Sequence, residues 1–126
     1  METLEIIGRI ILGGFFIISG MNHFTQKEKM VAFTRDNRLP MPHVSVIISG
    51  LGLILGGLGI LFWIQPQLAS AGMAIFLMLV SFSMHRFWSL KNAAPEVRMN
   101  QIHFFTANMA LFGALLLIVT LSGGLL

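Results

Sequence analysis

Four blocks of almost unbroken apolar residues constrain this chain more than any other feature. They run from about Leu4 to Phe24, Val44 to Trp63, Gln67 to Trp88 and Gln101 to Leu121. A helix rising 1.5 Å per residue needs roughly 20 residues to cross about 30 Å of hydrocarbon, and each block is that long. A membrane strand needs only about 10 residues and alternates apolar with polar, which these blocks do not. The spacing therefore predicts an all-α, integral membrane four-helix bundle, with residues 1–126 forming a single transmembrane domain. Composition agrees, since 56% of residues are hydrophobic and 10% charged, with a mean hydropathy of +0.83. A soluble domain of this size has too little interior to hide that much apolar surface.

Prolines punctuate the helix starts: Pro42 before the second span, Pro66 before the third, and Pro95 about a turn ahead of the fourth. Proline suits a first helical turn, where its missing N–H is not needed. Gly123 and Gly124 are expected to stop the last helix. The first block opens with Glu2, Glu5 and Arg9 and ends in Asn22 and His23, without a basic leader or a small-residue cleavage site. It is expected to be a permanent helix and not a removed signal peptide. Between the first two spans, Thr25 and Glu28 have capping-box spacing, and Met30 and Phe33 share a side of the helix that would follow. A short interfacial helix is expected there, ended by Pro40. In the second span Gly52 and Gly56 form a GxxxG pair, and Gly8, Gly13, Gly14 and Gly20 line the first. Such glycines are expected to let helices pack closely within the bundle, with a homo-oligomer face as the alternative.

Charge sets the expected orientation. Lys27, Lys29, Arg35, Arg38, Arg86, Lys91 and Arg98, all but one of the Lys and Arg residues, fall in the first and third loops, and Arg9 stands alone on the other side. The positive-inside rule then puts these loops in the cytoplasm and both termini, Met1 and Leu126, in the periplasm. The net charge of +3 and the pI near 10.2 are read as attraction to anionic membrane lipids, with no nucleic acid partner. The chain has no cysteine, which excludes disulfides and thiolate-held clusters within it.

All four histidines, His23, His43, His85 and His103, gather at the end where the basic loops lie. With them come Arg86, Trp88, Gln101 and Asn108, the last seven residues and so roughly 10 Å deeper than Gln101. On a continuous helix Ser81, His85 and Trp88 would share one face, while Gln101, Phe105, Asn108 and Phe112 share another. His85, Arg86, Trp88, Gln101, His103 and Asn108 are thus the candidate ligand-binding pocket between the third and fourth spans. Anchoring at the headgroup level is the competing account of such residues. No HExxH or CxxCH pattern is present, so no metal ligands and no catalytic residues are assigned.

These segments resemble the DoxX family of small four-span membrane proteins. The resemblance rests on GRIILGGFFIISGMNHF, LPMPH with SGLGLILGGLGIL, FLMLVSFSMHRFW and QIHFFTANMALFGALLL, taken in order along nearly the whole chain. It implies a four-helix fold in the bacterial inner membrane. Relatives in the family include the small membrane subunit of a thiosulfate:quinone oxidoreductase and a member of an oxidative-stress assembly with superoxide dismutase and a sulfurtransferase. The family pattern places a lysine just before the fourth-span asparagine, where this chain has Ala107. The functional expectation is a non-catalytic accessory subunit of a membrane redox or stress assembly, binding a quinone or lipid headgroup and an oxidoreductase partner. A small transporter and a purely structural assembly factor are the alternatives.

Overall fold

The computed structural model describes residues 2–123. It comprises α1 (Glu2–Thr25), α2 (Lys27–Asp36), α3 (Pro42–Leu61), α4 (Pro66–Met84), a 3-10 turn (Phe87–Ser89) and α5 (Pro95–Leu121). The segments Glu2–Thr25, Pro42–Leu61, Pro66–Ser89 and Pro95–Leu121 are long and apolar enough to cross a membrane. Proline stands in the first turn of α3, α4 and α5. The fourth span therefore begins as a helix at Pro95, more than a turn before its apolar stretch. Gly123 adopts a left-handed φ of +106° just past the end of α5, the conformation that favours glycine after a helix. Gly124, the second expected stop signal, lies outside the described residues, as do Met1 and Leu126.

α1 and α3 run antiparallel at very close range. A Cβ on Gly13 would stand 2.8 Å from the Gly57 carbonyl oxygen, and one on Gly20 would stand 2.6 Å from that of Gly50. Contact is backbone on backbone, with glycines seven residues apart on both helices, two turns along each seam. The GxxxG pair singled out in the sequence does not make this interface. Gly52 has nothing within 4 Å of an added Cβ, and Gly56 abuts the Met73 side chain of α4. α4 and α5 form the second antiparallel pair, joined at one end by the Gln67 amide donating to the Ser122 carbonyl oxygen. The two pairs meet in a narrow core of Phe16, Leu53, Ile60, Met73, Ala74, Leu77 and Leu115. Most other large apolar side chains are exposed, as expected where lipid and not water is the solvent.

Two local expectations are corrected. The short helix α2 exists, but Thr25 belongs to α1, and the α2 N-cap is Gln26, whose side chain makes no capping bond. Met30 and Phe33 do share a side of α2, where both line one cavity, and the buried Val31 and Thr34 stand next to them. The second correction concerns α4, which ends at Met84 instead of continuing through Trp88. Its last turn gives way because Phe87 and Trp88 fold back onto Phe82 and Phe105, with ring centroids 5.2 to 5.8 Å apart and mostly edge-to-face. The edge-to-face contacts among these partly exposed rings, each pair contributing about 0.5 to 1.5 kcal/mol, offset the helical hydrogen bonds that the turn gives up.

Candidate functional site

A cavity of about 440 Å³ occupies the histidine end of the molecule. It is the wedge left between α1, held close to α3 by the glycine seam, and α4, held close to α5. Phe15, Phe16, Ser19 and His23 of α1 form one wall, and α2 covers it with Met30, Phe33 and Thr34. Ser45, Ser49 and Leu53 come from α3, and Phe76, Val80 and Ser83 from α4, followed by His85; Asn108 is the contribution of α5.

His85 is the best-held polar group in this wall. Its Nδ1 lies 2.7 Å from Gln101 Oε1, which bridges the end of α4 to α5. Its ring stacks on Phe104 at 5.2 Å between centroids and faces Phe33 at 6.2 Å. The break in α4 at Met84 is what turns His85 toward Gln101, so the arrangement depends on the aromatic cluster beside it. His23, one end of α1, is held by its Nδ1, 2.8 Å from the Ser19 carbonyl oxygen.

Of the six residues expected to form a pocket, the fold brings three together. His85 and Asn108 line the same cavity, and Gln101 positions His85. Trp88 stands apart, packed on Phe82, Phe87 and Phe105. Arg86 is half-buried with its Nε enclosed and unpartnered among the described residues. His103 is exposed and outside the cavity. Because α4 has ended, His85 and Trp88 do not share a helix face. The expected partners for Asn108 also fail to reach it: no side chain of α4 hydrogen-bonds its amide, and the buried Ser81 hydroxyl is itself unpartnered. Asn108 is half-buried and turned to the cavity.

The α1, α2 and α3 contributions were not legible as a pocket in the sequence. Their signal was His23 at the same membrane depth as His85, and Ser19, Ser45 and Ser49 on otherwise apolar helices. A second, larger groove of about 790 Å³ lies on the outside of α3 and α4, lined mainly by aliphatic residues and glycine. It offers surface for acyl chains and no cluster of reactive groups. Among the described residues, no three His, Asp or Glu side chains are placed to hold a metal ion.

The family model for DoxX matches residues 4–86. This range takes in α1 to α4 and His85, and stops short of α5, which carries Gln101 and Asn108. No curated protein and no solved structure matches the chain.

Proposed function

Because the chain belongs to the DoxX family, we propose that it is an accessory, ligand-holding subunit of a membrane redox or oxidative-stress assembly. On this reading the cavity between α1 and α4 receives a quinone or a lipid headgroup, with His85 positioned by Gln101 as its main polar contact. The observation that carries the reading is Asn108. An amide well inside an apolar span costs several kcal/mol if unanswered, and no side chain among the described residues partners it, so an occupant of the cavity is its natural one. The volume falls in the range of small-molecule sites, which are mostly apolar with a few placed polar groups. The chain would sit in the bacterial inner membrane as one transmembrane domain, with its basic loops in the cytoplasm.

The test is to purify the protein from native membranes in mild detergent, extract its lipophilic contents and identify the proteins that co-purify. A quinone retained by the wild type and lost from His85→Ala and Asn108→Ala, with an oxidoreductase among the partners, is the expected outcome. No bound quinone or lipid above background, together with no redox partner, sinks the proposal.

A further inference from the structure

The polar groups around the cavity have their hydrogens already committed, and this fixes what kind of ligand they accept. The Ser19 carbonyl oxygen can only accept, so the His23 Nδ1 bonded to it at 2.8 Å carries a hydrogen. Gln101 Oε1 imposes the same tautomer on His85 at 2.7 Å. In each neutral ring the other nitrogen, Nε2, is then a lone-pair acceptor.

The hydroxyl groups follow the same rule. Thr34 donates to the Met30 carbonyl oxygen at 2.7 Å, Ser45 to that of Pro40 at 3.0 Å, Ser49 to that of Ser45 at 2.7 Å, and Ser83 to that of Leu79 at 2.6 Å. Each turns its hydrogen to the backbone and leaves lone pairs outward. Only Ser19 and the deeper Asn108 amide retain donors facing the cavity. No Lys, Arg, Asp or Glu lines it, and the charged residues nearest this end of the bundle are mainly basic. That combination disfavours both an anion, which would need donors, and a cation, which would meet a positive surround.

Resting on the reading that the cavity is a ligand site, we propose that it selects a neutral hydroxyl donor on an aromatic ring: a hydroquinone, in preference to the corresponding quinone. Hydroquinone hydroxyls donate to the Nε2 atoms of His23 and His85, while quinone carbonyls would bring lone pairs against lone pairs. The ring finds aromatic walls in Phe15, Phe16, Phe33 and Phe76. A site built to bond a hydroxyl discriminates strongly against the analogue lacking it, because its own polar groups are then left unpaired.

The experiment uses the full chain in nanodiscs under anaerobic conditions, with calorimetric titration of three probes: a decyl-substituted benzohydroquinone, its quinone and a straight-chain alcohol. The hydroquinone is expected to bind at least tenfold tighter than either of the others. His85→Phe keeps the stacking on Phe104 and removes the acceptor; it and His23→Phe should each erase most of that preference through loss of hydroquinone affinity, an unfolding midpoint close to that of the wild type showing that the variants are folded. A tenfold preference that survives both variants overturns the assignment of the acceptors. The milder Ser49→Ala should reduce the preference by a smaller factor. Quinone binding equal to or tighter than hydroquinone overturns this inference and leaves the ligand site standing. Equal binding of the straight-chain alcohol overturns the aromatic assignment. Failure of all three probes to bind overturns both the inference and the reading it rests on.

Discussion

Arg9 shows how one residue can depart from a charge rule for a structural reason. It is the basic residue remote from the histidine end, and the fold gives it three tasks. Its Nε donates to the Leu61 carbonyl oxygen at 3.3 Å, its Nη1 reaches Glu5 at 3.5 Å, and its guanidinium lies 5.2 Å from the Trp63 ring centroid. The ion pair with Glu5 is half exposed and of little energetic weight; the contact with the end of α3 is the one that ties two helices. Tight turns leave a different mark on single residues. Arg38, Met41, Trp63 and Gln65 all have positive φ, at 60°, 47°, 57° and 48°, a region costing roughly 1 to 2 kcal/mol for a residue with a Cβ. Arg38 is exposed, and its side chain makes no hydrogen bond or ion pair among the described residues. Arg38→Gly is therefore expected to stabilise the folded protein by about 1 kcal/mol, read as a higher midpoint in thermal unfolding of the detergent-solubilised chain. An unchanged or lower midpoint would show that the left-handed turn is not strained.

At the scale of the helices, the glycine seam decides how α1 and α3 meet. Added methyl groups at Gly20 or Gly57 would meet backbone of the facing helix at under 3.0 Å, which can yield only if the helices separate. Gly20→Ala and Gly57→Ala should each destabilise the fold by about 1 to 3 kcal/mol, and Gly52→Ala, open to its surroundings, should be close to neutral. Thermal unfolding of the three variants side by side checks this, and equal effects at Gly20 and Gly52 would refute the seam. The same helix pair sets the site, since α1 drawn onto α3 leaves the wedge that α2 covers. At the other pair, the break after Met84 follows from the aromatic cluster of Phe82, Phe87, Trp88 and Phe105. It turns His85 from a residue on a helix face into a group clasped between Phe104 and Gln101.

For the molecule as a whole, the basic end is also the cavity end. Lys27, Lys29, Arg35, Arg38, Lys91 and Arg98 are exposed there, and the salt bridge found among the described residues is at the other end, between Arg9 and Glu5. Unpaired basic groups beside a membrane favour the cytoplasmic face. A C-terminal alkaline phosphatase fusion should accordingly be active and a C-terminal fluorescent protein fusion dark; the reverse pattern would invert the topology. The number of spans, their helical character and their proline-marked starts were legible in the sequence because each depends on local composition: run length against bilayer thickness, and proline against an N–H the first turn does not need. Glycines were legible as packing residues, but which of them pack was not. The difference between Gly52 and Gly57 is a rotation about the helix axis, and that rotation is set by the partner helix. His85, Gln101 and Asn108 could be gathered from depth alone, since rise per residue is fixed. What brought His23, Thr34, Ser45 and Ser49 to the same cavity, and sent Trp88, Arg86 and His103 away from it, was the tertiary structure: the close approach of α1 to α3 and the mutual packing of four aromatic rings, both long-range contacts that no stretch of the chain carries by itself.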